Sequence, residues 1–158
     1  MGGLTLPQSG TICLDTSVVI YSVEKIEPYA TLMAPLWAHA KNGSVRLVGS
    51  YLLLLETLVK PVKDGDAEIE EIYRELLTAT EEFQLLPISM EVVERAIQLR
   101  AQYDLRTPDA LHAATAQAAG CVQFITNDAQ FRRVAKLPVV ILDDYSPQRP
   151  ASIGDERA

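Results

Sequence analysis

The stretch from Thr107 to Asp128 confines this chain to few folds. Thr107-Pro108-Asp109-Ala110-Leu111-His112-Ala113-Ala114 opens like a helix. Thr107 is a favourable N-cap, Pro108 carries the φ of a first turn, and Asp109 falls inside that turn. After Gly120, Cys121-Val122-Gln123-Phe124-Ile125-Thr126 reads as a short buried strand that Asn127-Asp128 breaks. A helix that feeds directly into an apolar strand is half of a β-α-β unit. Strands buried on both faces belong to parallel sheets.

The same alternation runs through the rest of the chain. Thr11-Ile12-Cys13-Leu14 is a short apolar strand that stops at Asp15-Thr16-Ser17. Helices are expected from Val18 and over Tyr29–Lys41, the second closed by Asn42-Gly43. A second strand is expected at 45–49, with Ser50 capping a helix that runs to Val59 and ends before Pro61. Asp64-Gly65-Asp66 turns the chain into an amphipathic helix over 67–83, with Ile69, Ile72, Tyr73, Leu76 and Leu77 on one face. A strand at 85–88 contains Pro87, which confines it to a sheet edge. Ser89 caps a helix over Met90–Tyr103, and a short helix from Ala129 and a strand at 139–142 follow the Cys121 run. The pattern predicts an α/β fold in three layers, a parallel sheet flanked by helices. One domain is expected over 11–145, after a loose lead-in at 1–10 and before a polar tail at 146–158 expected to be disordered.

Composition narrows the function. The chain has 158 residues, 48% of them hydrophobic and 22% charged, which suits one domain with a real core and excludes a disordered chain. Its net charge of −7 argues against passive nucleic-acid binding through a basic face. An enzyme that reaches phosphates through divalent cations is not excluded by that charge. The apolar run at 52–55 stops at Glu56, too soon to span a membrane, and the N-terminus lacks a basic leader region. A cytoplasmic protein without membrane contact is expected. Cys13 and Cys121 fall in buried strands and read as free core thiols.

Four acids stand at element ends or in apolar surroundings: Asp15, Glu56, Asp109 and Asp128. Singly, each aspartate has an ordinary reading as a cap, a turn residue or a first-turn acid favoured by the helix dipole. Glu56 lies between Leu55 and Thr57 in an otherwise aliphatic run, where a carboxylate must be paired or bound to a cation; Lys60, one turn on, is a candidate counter-ion. Together the acids supply the oxygen ligands that Mg²⁺ and Mn²⁺ prefer. In a parallel sheet ligands sit beyond the carboxyl ends of the strands, where Asp15 and Asp128 fall. His112, three residues after Asp109, reads as a structural histidine, with proton transfer as the alternative. Ser17 and Thr126 are hydroxyls beside acids, able to hold a metal-bound water or to cap. No zinc-ligand spacing and no phosphate-cradling glycine loop are present.

The strings Leu14-Asp15-Thr16-Ser17, Ser50 through Glu56, Pro108-Asp109-Ala110-Leu111-His112-Ala113-Ala114 and Thr126-Asn127-Asp128 with Phe131 resemble the PIN domain family, most closely its VapC-type toxins. The resemblance covers about residues 11–145. It implies a five-stranded parallel sheet and an endoribonuclease dependent on Mg²⁺ or Mn²⁺. It further implies that Asp15, Glu56, Asp109 and Asp128 form the metal pocket, with Thr126 and Ser17 supporting substrate or water. RNA is the implied substrate, a homodimer the implied assembly and an antitoxin protein the implied partner. The alternatives are a PIN-type nuclease of RNA processing that has no antitoxin, and a non-catalytic interaction domain whose acids are only caps. A receiver would need a lysine after a late strand, and Lys136 precedes it; a phosphatase would need Asp-x-Asp, and Asp15 is followed by Thr16-Ser17.

Overall fold

The computed structural model describes residues 3–145; the tail expected to be disordered at 146–158 lies outside them, as do residues 1 and 2. Five strands, β1 (Thr11–Leu14), β2 (Arg46–Ser50), β3 (Phe83–Leu86), β4 (Gln123–Thr126) and β5 (Val139–Ile141), form one sheet. All four pairings are parallel, in the order β3-β2-β1-β4-β5. Six α-helices connect them: α1 (Thr16–Val23), α2 (Tyr29–Lys41), α3 (Leu52–Asp64), α4 (Ala67–Thr78), α5 (Met90–Tyr103) and α6 (Thr107–Ala118). Short 3-10 helices follow β4 (Ala129–Arg133) and β5 (Leu142–Tyr145).

The two-residue period of the strands sorts their side chains into two cores. Ile12, Leu14, Leu47 and Ile125 face α1 to α4, in a cluster with Val18, Met33, Leu36, Leu53, Tyr73 and Leu77. Cys13, Val48 and Phe124 face α5 and α6, where Ala96, Ala110, Ala113, Ala114 and Ala116 let the two helices approach closely. Both faces are covered, as a parallel sheet requires. Each fully buried aliphatic or aromatic side chain contributes roughly 1.5–3 kcal/mol. Gly49 in β2 allows a close approach: a Cβ there would stand 2.3 Å from Leu53 Cδ1 and 2.9 Å from Phe83 Cζ.

Several boundaries differ from the sequence reading for identifiable reasons. The third helix does not stop before Pro61; it carries Pro61, buried, in its last turn and ends at Gly65 with φ 69°. A left-handed glycine, not the proline, supplies the stop. The helix expected over 67–83 ends at Thr78, where the Thr78 and Thr80 hydroxyls donate to the carbonyls of Arg74 and Leu76. Such back-bonding weakens continuation, and Phe83 is free to begin β3. The N-cap of α6 is Arg106, with Thr107 as the first helical residue. At the lead-in, Leu4 and Leu6 pack on the core and Gln123 Nε2 donates to the Thr5 carbonyl at 2.9 Å.

The chain runs from β1 outward through β2 to β3, then returns to place β4 on the other side of β1. The strand order therefore reverses between β1 and β4, and the space beyond their carboxyl ends is where such sheets place their ligands.

Candidate functional site

Asp15 follows β1 and caps α1. Its backbone N–H donates to the Ile125 carbonyl of β4 at 3.0 Å, which fixes it at the crevice. Asp15 Oδ1 accepts from Thr16 N (2.8 Å) and Oδ2 from the buried Thr126 hydroxyl (2.7 Å). Thr126 Oγ also accepts from Asp128 N at 3.1 Å, so one hydroxyl ties the acid after β1 to the acid after β4. Asp109 sits in the first turn of α6 and is buried. Glu56 comes from the second turn of α3. All four predicted acids reach this edge of the sheet, in two bridged pairs.

The first pair is joined by His112. Its Nε2 lies 2.5 Å from Glu56 Oε1 and 3.9 Å from Asp15 Oδ1, and the imidazole is 1% exposed. A carboxylate only accepts, so Nε2 carries the proton. The Thr16 hydroxyl donates to Glu56 Oε1 at 2.9 Å and lies 3.1 Å from His112 Nε2. His112 Nδ1 is buried and has no hydrogen-bond partner among the described residues. Burial pulls the imidazole pKa down, but the Glu56 hydrogen bond and the charges of Asp15, Glu56 and Asp109 outweigh it, leaving it above its ordinary 6.5. Burial raises the Glu56 carboxyl, and the hydrogen bond and charge of His112 with the Thr16 hydroxyl more than reverse this. For Asp15 burial wins: its pKa stays raised against the pull of His112, Thr126 and Thr16.

The second pair is joined by Gln130. Its Nε2 donates to Asp109 Oδ2 at 3.1 Å and to Asp128 Oδ2 at 2.5 Å. Asp128 caps the 3-10 helix by accepting from Gln130 N at 3.0 Å. Arg106 Nε stands 3.4 Å from Asp109 Oδ2, with its side chain 80% exposed.

Some expectations shift with this geometry. Glu56 is not enclosed by aliphatics, since Leu55 is 60% and Val59 53% exposed; Lys60 pairs with Asp64 at 2.9 Å and not with Glu56. No hydrogen bond ties Ser17 to the acids among the described residues; its neighbour Thr16 supplies the hydroxyl. His112, read as structural, lies at the centre of the site. Gln130 was missed, although its position two residues after Asp128 was the available signal.

Among the described residues no three His, Cys, Asp or Glu side chains converge closely enough to hold a metal ion. The donor chemistry still suits a hard dication. Mg²⁺ commonly takes one or two carboxylates beside retained waters, and Asp109 and Asp128 turn one oxygen each to a shared donor. The residues fit Mg²⁺ or Mn²⁺ in that sense, with a protein amide now lying between the carboxylates.

A parallel α/β domain with four acids along the carboxyl edge of its central strands is the class that this fold and rim define. The chain belongs to the PIN domain family, whose sequence profile matches residues 12–137. Solved structures agree. A chain of a toxin–antitoxin complex from Klebsiella pneumoniae is 25% identical with TM-score 0.63, covering 82% of this chain and 95% of that one. VapBC2 from Rickettsia felis, bound to a DNA fragment from its promoter, is 18% identical with TM-score 0.64, covering 83% and 98%. FitAcB from Neisseria gonorrhoeae is 21% identical with TM-score 0.61, covering 81% and 95%. A comparison with curated proteins finds no match.

Proposed function

We propose that this protein is a divalent-metal-dependent endoribonuclease, the toxin of a toxin–antitoxin pair, acting in the cytoplasm. The observation that carries the reading is the gathering of Asp15, Glu56, Asp109 and Asp128 where the strand order reverses. Asp109 and Asp128, with Asp15 and Glu56 beside them, would hold Mg²⁺ or Mn²⁺. When bound, such an ion activates a water and stabilises charge on the phosphodiester. Thr126 and Thr16 hold the Asp15 carboxylate in place, and His112 does the same for Glu56. The exposed Arg106 guanidinium beside Asp109 is placed to meet a backbone phosphate of RNA.

The likeness to chains of toxin–antitoxin complexes supports an antitoxin partner. No helix among the described residues is long and apolar enough to cross a membrane. A homodimer is supported by the exposed side of α3, where Tyr51, Leu55, Val59 and Val62 form an apolar stripe at helical spacing.

The test is cleavage of single-stranded RNA by purified protein. The reading expects hydrolysis with Mg²⁺ or Mn²⁺ that stops with EDTA, and slowed growth of a bacterial host relieved by co-expression of the neighbouring gene. Equal cleavage with and without chelator would falsify it. Metal-dependent cleavage with normal host growth would favour the RNA-processing alternative.

A further inference from the structure

We propose that Gln130 is a positioning residue whose carboxamide holds Asp109 and Asp128 in register without metal and competes with the cation for them, so that it sets the metal concentration at which the site fills. The inference rests on reading the acidic rim as a divalent-cation site.

Asp109 lies in the first turn of α6 and Asp128 follows β4, so the two carboxylates belong to separate elements. Gln130 joins them directly, giving its Nε2 to Oδ2 of both, at 3.1 and 2.5 Å. A primary amide nitrogen has two N–H donors, and two carboxylate oxygens use both. The backbone beneath it is fixed. Gln130 N is held by Asp128 Oδ1, and the next residue, Phe131, is fully buried with its ring edge-on to Phe124 at 5.1 Å. The amide is therefore presented from a rigid base and can be displaced only by rotating its own side chain.

The identity of the residue matters. Two arginines follow Phe131, yet both face elsewhere: Arg132 pairs with Asp144 at 2.5 Å, and Arg133 Nε donates to the Gln130 carbonyl at 3.3 Å. The segment thus turns its one neutral donor to the acids. A guanidinium in its place would bridge both carboxylates and neutralise the pair, which the exposed Arg106, 3.4 Å from Asp109 Oδ2 alone, does not. A neutral amide relieves part of the repulsion and still yields to a dication, whose attraction for two carboxylates far exceeds that of a dipole.

The test counts bound Mn²⁺ by electron paramagnetic resonance and records melting in EDTA for the wild type, Gln130→Ala, the shape-conserving Gln130→Met, and Gln130→Lys. Without the amide donor, Gln130→Ala and Gln130→Met should half-saturate at roughly 5- to 100-fold less Mn²⁺, the scale of two hydrogen bonds that no longer compete. Both should melt lower in EDTA. Gln130→Lys should need at least about tenfold more Mn²⁺, because a tethered cation occupies the place. A purely structural glutamine would lower melting without improving affinity, so unchanged or weaker Mn²⁺ binding in both donor-free variants overturns the proposal. RNA cleavage by the wild type, assayed in parallel, reports on the ribonuclease reading separately. Mn²⁺ binding without cleavage sinks that reading and leaves the Gln130 comparison decisive; no binding by the wild type or any variant sinks both.

Discussion

Asp15 and Glu56 share a buried imidazole, whereas Asp109 and Asp128 share a carboxamide. The Glu56 hydrogen bond and the neighbouring carboxylates raise the imidazole's pKa above its ordinary value against the opposing pull of burial, so the first pair favours a charged bridge. The second receives the dipole of the carboxamide, and beside it an Arg106 guanidinium 3.4 Å from Asp109 Oδ2 that is 80% exposed and screened by solvent. A dipole and an exposed guanidinium offset like-charge repulsion less than a buried imidazole whose pKa is raised, so the second pair keeps more of its repulsion. The difference teaches that the two halves of one acidic rim make unequal demands on a cation: one half is joined by a buried imidazole, and the other by a neutral amide with only a solvent-exposed guanidinium at its side.

The largest way to break this comparison is to remove an acid from the half bridged by the neutral amide. Asp109→Asn should lower RNA cleavage at saturating Mg²⁺ by roughly 10²- to 10³-fold, the scale of losing one electrostatic partner in an active site. Its circular dichroism should match the wild type. Asp15→Asn should behave alike, and cleavage within a factor of two for both would show that the acids are caps.

Next comes the chain's own counter-charge. His112→Ala leaves Glu56 and Asp15 without the imidazole and opens a hole in a buried site. Breaking a fully buried pair costs roughly 3–5 kcal/mol, and the 32% exposure of the Glu56 side chain lowers this to ~2–3 kcal/mol. Urea denaturation in EDTA measures it. A loss below about 0.5 kcal/mol would mean that the imidazole contributes no counter-charge.

The pH dependence sharpens the same point. The folded pKa of His112 is raised above 6.5, so its stabilisation is complete below that value and fades as pH rises through the folded pKa. Glu56, lowered from 4.5, acts oppositely: its contribution is present above 4.5 and lost as pH falls through the folded value. Asp15, raised from 3.8 chiefly by burial, stabilises only while protonated and is a liability at neutral pH. Wild-type stability in EDTA should therefore decline from pH 6.5 upward, and a His112→Gln variant should lack that decline. Parallel curves for the two proteins would remove His112 from the electrostatics.

The smallest effect is expected from Asp128→Asn in EDTA. The substitution removes one charge and keeps an oxygen to cap Gln130 N. Because Gln130 already bridges the pair, the melting temperature should rise by no more than about 2 °C. Mg²⁺ should stabilise the wild type by mass action and have much less effect on the variant. A clear drop in melting for Asp128→Asn would show that the cap outweighs the repulsion.

Local signals in the sequence suffice where capping chemistry is contained in neighbouring residues. Ser89 as a cap and Asn42-Gly43 as a stop gave α5 and α2 their observed ends. Asp15, Asp109 and Asp128 were legible because each follows a recognisable strand or helix boundary. What the sequence hid is non-local. The partners of Glu56 are Thr16 and His112, 40 and 56 residues away, while the adjacent Lys60 bonds Asp64. The burial inferred for Glu56 from its leucines failed because an apolar residue on the outer side of a helix shields nothing. The raised pKa of Asp15 owes more to lost hydration than to neighbouring acids, a distinction only a folded crevice reveals.

The placement of β1 at the centre of the sheet has a consequence for synthesis. The first strand to leave the ribosome pairs on one side with β2 but finds its other neighbour only after Gln123–Thr126 has been made. Until then Asp15 lacks the Ile125 carbonyl and the Thr126 hydroxyl that position it, 110 and 111 residues later in the chain. A truncated translation product would expose an open edge on β1 and carry a dispersed set of acids. Such a fragment would present an unpaired strand edge and lack the gathered acids, so the topology itself delays completion of the rim until nearly the whole domain exists.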